Sequence, residues 1–213
     1  MSAIADSGAV WFPDADLLVR GPDELPDDAL RAAGALELSD SEAYAQLSVA
    51  WGKVDTTRRE RIGAAGELVL VDLLTDASAA RVEHVAKASD GYGYDIAVHA
   101  QQHSMHIEVK STVRRSRFTA YLSRNEYETM RRDPAWQLVA LRLTPDYEAA
   151  AIATVPRPWI AAHVPADCSS YGRWESCRLE VPSEVPVPGI PHLSPVLMAN
   201  ASALLTGSAG WPG

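Results

Sequence analysis

The stretch GYGYDIAVHAQQHSMHIEVKS, residues 91–111, alternates as two strands joined by a tight connection near residues 100–103. Successive side chains of a strand point to opposite faces. Ile96 and Val98 therefore share one face of the first strand and Asp95 takes the other, while Ile107 and Val109 oppose Glu108 and Lys110 on the second. With the apolar residues on one side, Asp95 pairs with Glu108 and the turn centre falls between Gln101 and Gln102. Two carboxylates and an amine then converge on the opposite face. A glycine-containing loop at residues 90–93 leads into the first strand.

Working outward, residues 57–77 read as a helix of about five turns, with Ile62, Val69, Leu70, Leu73 and Leu74 apolar and Gly63, Ala64, Ala65 and Gly66 forming a small-residue patch. Each mid-helix glycine costs about 1 kcal/mol relative to alanine, which predicts close packing against another element. Glu67 falls in the stripe of Gly63, Leu70 and Leu74, where a buried charge requires a partner. Residues 81–86 form a further strand candidate. After the hairpin, Ser123 and Glu126 make an S-x-x-E capping box for a helix that runs to Arg132 before Asp133 and Pro134 stop it. Residues 137–143 and 149–155 read as strands across a turn at 144–146. The order is helix, three strands, helix, strand.

The flanks are less regular. Residues 1–50 suggest a short strand around 17–20, a turn at Gly21 and Pro22, and a helix around 27–33. Residues 158–163 suggest a short helix and 173–181 a strand. Prolines 182, 186, 188, 191 and 195 predict an extended segment, followed by a small apolar tail at 201–213, docked or disordered. These readings divide the chain into an acidic N-terminal extension (1–55), a core (56–156) and a C-terminal extension with a Pro-rich tail (157–213).

Composition narrows the function. The 213 residues are 47% hydrophobic and 22% charged, which is globular and long enough to bury a core without disulfides or a structural metal. No apolar run approaches a membrane span, and the acidic first thirty residues do not resemble a signal peptide, so a cytoplasmic protein is expected. Cys168 and Cys177 form no CxxC pair and are expected to be small, partly buried residues. His99, His103 and His106 fall where the pattern reads as two strands and a turn, so the i, i+4 geometry of a helical metal site does not hold, and they are expected to be solvated hairpin residues. The net charge of -9 would argue against nucleic acid. Its distribution removes that objection: residues 1–50 hold ten acids and two bases, a net of -8, whereas 51–145 hold fourteen bases and twelve acids, a net of +2.

Asp95 and Glu108, with the backbone carbonyl of Val109, supply hard oxygen ligands of the kind Mg²⁺ or Mn²⁺ takes. Such a metal lowers the pKa of a bound water and stabilises charge on a scissile phosphate. Lys110 would stabilise developing negative charge or orient the nucleophile, and Glu67 would add a ligand directly or through water.

Glu67 on a leading helix, Asp95 at a strand and Glu108-x-Lys110 on the next resemble the PD-(D/E)xK nuclease superfamily. Gly66-Glu67, residues 91–96, residues 107–112 and Asn125-Glu126 are similar to the NO VEIN C-terminal-like domain, with an Mrr-like restriction-endonuclease fold. The resemblance spans about residues 57 to 143. It implies an α/β (α+β) restriction-endonuclease-like core, a mixed central sheet flanked by helices in the order αβββαβ. It further implies Glu67, Asp95, Glu108 and Lys110 as catalytic residues and a Mg²⁺-dependent endodeoxyribonuclease in bacterial restriction or anti-phage defence. DNA, a helicase or other defence protein, and a second copy of the chain are the implied partners. The family's leading proline is absent, since Tyr94 precedes Asp95. A second reading keeps the fold as a catalytically silent module that binds nucleic acid or a protein.

Residues 108–132 carry seven bases against three acids. Arg114, Arg115, Arg117 and Arg124 are the candidate phosphate contacts, beside Phe118 and Tyr121. Trp136 and Trp159 are expected in the core. The acidic N-terminal segment would dock a partner, cover the basic strip or serve only as a soluble surface.

Overall fold

The computed structural model describes residues 19, 21–86, 90–101, 103–114, 118–167 and 172–211, with the side chains of 50–57 and 90 left aside. The strand expected around 17–20 lies outside the described residues except for Val19, as does Cys168. The chain divides into two compact units, Met1–Arg61 and Ile62–Gly213.

The first unit contains α1 (Asp27–Ala35), where the expected helix begins, preceded by a single 3-10 turn at Pro22–Glu24. Asp27 and Asp28 occupy the first turn of α1, where carboxylates complement the helix dipole. Val19, Leu25, Ala29, Ala33, Ala43 and Leu47 form its small core. Helix α2 begins in this unit and runs over Asp40–Ala77, so it starts well before the residue 57 at which apolar periodicity becomes evident. Its start is set by a capping box: Glu42 N–H donates to Ser39 Oγ, and Glu42 Oε2 accepts from Ser39 N–H at 2.9 Å.

In the second unit the strands are β1 (Arg81–His84), β2 (Ile96–Ala100), β3 (His103–Thr112), β4 (Phe118–Ser123), β5 (Trp136–Leu143), β6 (Ala149–Val155), β7 (Ser176–Val181) and β8 (Val187–Pro188). Helix α3 (Arg124–Arg132) precedes β5, α4 (Arg157–His163) follows β6, and α5 (Ala203–Thr206) lies near the C-terminus. The main sheet has the order β1-β2-β3-β5-β6-β8. It is mixed: β1, β2 and β3 are antiparallel neighbours, β3 and β5 are parallel, and β5, β6 and β8 are antiparallel again. A parallel pair needs a crossover, and the β4–α3 segment supplies it. Within the main sheet the helix, three strands, helix and strand occur in the expected order, with β4 of a second sheet interposed before α3.

Ile96 pairs with Ile107 and Ala97 with His106, which centres the hairpin between residues 101 and 102 as the alternation predicts. Ile96, Val98, Ile107 and Val109 fall in one core with Leu70 and Leu74 of α2 and with Leu193 and Leu205 of the C-terminal segment. The tail is therefore docked at α5, and the Pro-rich segment is interrupted by β8 and a 3-10 turn at Pro191–Leu193. A second core covers the other face, where Trp136, Leu138 and Ala140 of β5 meet Met130 of α3, Ile160 of α4 and the inner faces of β4 and β7. Strand β5 is buried along its whole length between the two.

Phe118–Ser123, to which the sequence reading assigns no element, is a strand whose Phe118, Ala120 and Leu122 point inward. It pairs with β7 in a separate two-stranded sheet. Cys177 is buried. No helix among the described residues is long and apolar enough to cross a membrane.

Candidate active site

Strand β2 begins one residue after Asp95, so the N–H of Val109, on the β2 side of β3, lacks a ladder partner there. The Asp95 side chain takes its place: Val109 N–H donates to Asp95 Oδ2 at 2.7 Å, and Asp95 N–H donates to the carbonyl of Ile107. In a strand the carbonyl of a residue points to the same side as its N–H, so the Val109 carbonyl also faces the end of β2. Glu108 is only 3% exposed. Its Oε1 lies 2.6 Å from Lys110 Nζ, and the same ammonium is 3.2 Å from Glu126 Oε1.

Glu126 belongs to α3, and its other oxygen accepts the Ser123 N–H of the helix cap. The sequence places it in that cap and in the Asn125-Glu126 motif, but not among the site carboxylates. Its second contact depends on α3 returning over β3, which no local pattern encodes. His84 of β1 was also missed. Its Nε2 meets Glu67 Oε2 at 2.7 Å, and its Nδ1 is buried with no hydrogen-bond partner. Glu67 is half-buried beside the stripe of Ile62, Gly66, Leu70 and Leu74 rather than within it, because the buried positions recur every four residues from Ile62. Of the two glycines only Gly66 is packed: a Cβ there would lie 1.8 Å from Ser111 Oγ, whereas one at Gly63 would meet nothing within 4 Å.

The electrostatics are dominated by negative charge. Burial pushes the Asp95 carboxyl up to about 6; the Val109 N–H and Lys110 oppose this shift, and Glu67 and Glu126 add to it. Burial also raises Glu108 well above the usual glutamate range, with Glu126 and Asp95 contributing and Lys110 opposing. For Lys110 burial disfavours the charge, but Glu108 and Glu126 outweigh it and hold the ammonium above the ordinary lysine range. Among the described residues, no group of three His, Cys, Asp or Glu side chains is placed to hold a metal ion. Asp95, Glu108 and the Val109 carbonyl nevertheless provide two carboxylates and a neutral oxygen whose excess charge a divalent cation would offset, a donor set that suits Mg²⁺ or Mn²⁺ with waters completing the shell.

The raised Asp95 value has a consequence for stability. A carboxyl that binds its proton more tightly folded than unfolded supports the fold below its ordinary value near 4, and loses that contribution as pH rises through about 6. Asp95→Asn deletes the charge and retains an acceptor for Val109 N–H. In chelator it should raise stability at pH 8 by about 1–3 kcal/mol, a gain that shrinks towards zero by pH 4. Urea denaturation across that range checks the sign, and a loss at pH 8 would refute the assignment of electrostatic cost to Asp95.

The candidate phosphate contacts fare unevenly. Arg115 and Arg117 lie outside the described residues. Arg114 is half-buried, and its N–H donates to Thr112 Oγ1. Arg124 is engaged within the molecule: its guanidinium forks onto both oxygens of Asp167 at 2.6 and 3.0 Å, bonds Glu128, and lies over the Trp174 ring. Of the hairpin histidines, His106 is not freely solvated, because it bonds Asp133 and stacks on Tyr94 with centroids 4.4 Å apart. Trp136 is fully buried as expected, and Trp159 is half-buried.

Residues 66–141 match the family model described as Protein NO VEIN, C-terminal, the family whose motifs the sequence resembles. The matched segment contains Glu67, Asp95, Glu108, Lys110 and Glu126. No curated protein matches the chain. Among solved structures the chain is similar to Archaeoglobus fulgidus Hjc, a Holliday junction resolvase from an archaeal hyperthermophile. The two share 19% identity over 55% of this chain and 83% of that one, with a TM-score of 0.35. That likeness is too loose to align side chains.

Proposed function

We propose, from the match of residues 66–141 to the NO VEIN C-terminal family and from the chemistry of the cluster it contains, that the chain is a metal-dependent nuclease hydrolysing DNA phosphodiester bonds. The observation that carries this reading is the buried grouping of Asp95, Glu108 and Lys110 at the end of β2, where two carboxylates keep raised proton affinities and one lysine stays charged. A purely structural ion pair would need one carboxylate for one ammonium. Here Asp95, Glu108 and Glu126 surround Lys110, and Glu67 adds its charge beside Asp95, an excess of acid that a fold keeps at a cost unless a cation is the missing partner.

Asp95, Glu108 and the Val109 carbonyl would hold Mg²⁺ or Mn²⁺, with Glu67 reaching it through water. When bound, that ion supplies Lewis-acid polarisation of the phosphate and a water of lowered pKa. The Val109 N–H fixes one oxygen of Asp95 and leaves the other for ligation. Lys110, held in place by Glu108 and Glu126, presents a permanent positive charge to a nonbridging oxygen as water attacks phosphorus and the P–O bond to the leaving group breaks. His84 Nε2 fixes the Glu67 carboxylate.

Supercoiled plasmid, single-stranded DNA and RNA, each incubated with Mg²⁺, with Mn²⁺ and with chelator, test the reading. Nicking of DNA only in the presence of metal is expected. Intact nucleic acid under every condition would leave a binding module in place of an enzyme. Modified and unmodified DNA, compared in the same assay, then test the restriction-type role that the resemblance implies.

A further inference from the structure

The loop that leads into Asp95 holds an exposed aromatic ring in a constrained position. Tyr92 is 53% exposed, yet its loop is pinned at three consecutive carbonyls. Asn125 Nδ2 donates to the Gly91 carbonyl at 3.3 Å, Thr129 Oγ1 to that of Tyr92 at 3.5 Å, and Trp136 Nε1 to that of Gly93 at 2.9 Å. Gly93 has φ +74, a left-handed conformation suited to glycine, and a Cβ there would lie 2.4 Å from Thr129 Oγ1. The backbone beneath the ring is therefore held, and the loop itself has little ordering entropy to lose when something docks on it.

Tyr92 is also the outer member of a row of rings. It makes a tilted contact with Tyr94 at 5.9 Å, Tyr94 stacks on His106 at 4.4 Å, and His106 meets the edge of His99 at 6.1 Å. The register puts His99 and His106 on the same face of the hairpin as Glu108 and Lys110. His106 and Glu108 are two residues apart on β3, about 7 Å at the usual strand rise, and Tyr92 lies two ring contacts beyond His106, so the row runs outward from the candidate site over the reach of a few nucleotides. The charges near Tyr94 come from Asp133 and Glu83, so this end of the face disfavours a phosphate and leaves the flat side of a base as the matching group.

Resting on the nuclease reading for where the phosphate lies, we infer that Tyr92 is a stacking platform for an unpaired nucleobase, and that the substrate class is nucleic acid with a single-stranded or unpaired nucleotide within a few positions of the cleaved bond. Within a duplex the flat sides of a base are covered by its neighbours, so a platform of this kind selects unstacked nucleotides and tolerates any base.

The test uses the full chain in Ca²⁺ and two oligonucleotides carrying 2-aminopurine, one with the fluorescent base in a gap and one with it paired in continuous duplex. The gapped probe should bind at least about tenfold more tightly than the paired one, with its fluorescence quenched. Tyr92→Ala should remove both the preference and the quenching, and Tyr92→Trp should retain them. Because Tyr92 is exposed, both variants should unfold at the wild-type denaturant midpoint. Equal affinity for the two probes, or quenching unchanged in Tyr92→Ala, would overturn the inference. Cleavage with Mg²⁺, measured on the same preparations, separates the two readings. Metal-dependent cleavage with an indifferent Tyr92 removes the platform alone, Tyr92-dependent quenching without cleavage supports the platform and removes catalysis, and no binding of either probe removes both.

Discussion

Glu108→Gln should abolish metal-dependent cleavage, by roughly a thousandfold or more, while the protein remains folded. The glutamine keeps the volume of a side chain that is almost wholly buried, and it can still accept a hydrogen bond from Lys110. It removes the negative charge that would bind the metal beside Asp95. Loss of a group that stabilises transition-state charge costs on the order of 10²–10³ in rate, and loss of the ion itself costs more. At neutral pH the substitution also relieves the strain expressed in the raised proton affinity of Glu108, so the unfolding midpoint in chelator should not fall. Single-turnover cleavage and urea denaturation on the same preparation check both halves. Wild-type cleavage by folded Glu108→Gln protein would take Glu108 out of the chemistry.

The other large effect is steric. Gly66→Ala and Gly63→Ala are the same substitution, three residues apart on one helix, and should have opposite signs. At Gly63 the new methyl group meets nothing within 4 Å, so the helix gains close to 1 kcal/mol of propensity. At Gly66 the methyl carbon would lie 1.8 Å from Ser111 Oγ and 2.7 Å from Ser111 Cβ, with Leu141 Cδ2 at 3.3 Å. Rotation of the serine hydroxyl relieves the first contact but not the second. Helix and strand must therefore separate, a cost of about 1–3 kcal/mol that outweighs the propensity gain, and Gly66→Val should exceed it. Ser111 follows Lys110 directly, so the displaced strand carries the candidate lysine and activity should fall with stability. Combining Gly66→Ala with Ser111→Gly should recover part of the loss in a double-mutant cycle. Equal midpoints for Gly63→Ala and Gly66→Ala would mean that the helix does not pack against β3 as described.

What could be read in advance follows the range of each interaction. The hairpin register was legible because alternation over residues 94–111 permits one pairing that puts every apolar side chain on one face. The cap of α3 was legible because Ser123 and Glu126 are three residues apart. The box at Ser39 and Glu42 has the same spacing, but no strong apolar periodicity follows it to mark a helix start. Strand β4 shows its alternation in Phe118, Ala120 and Leu122, but the partner that makes it a strand lies more than fifty residues later in β7. Arg124 reads as a free cation until Asp167, 43 positions away, is placed beside it. For the candidate site the same division holds. Asp95, Glu108 and Lys110 sit on one hairpin and could be grouped from spacing alone, whereas Glu126 and His84 approach them only through packing between elements.

The dual attachment of Glu126 links two properties of the molecule. Helix ends are where a folded chain opens most readily, and the first turn of α3 is held by the carboxylate that also steadies Lys110. Loss of that turn would remove the Glu126 contact and leave Lys110 on Glu108 alone, and loss of the Lys110 contact would leave the Glu126 carboxylate held only by the cap. The stability of a helix terminus and the placement of the candidate lysine thus share one side chain.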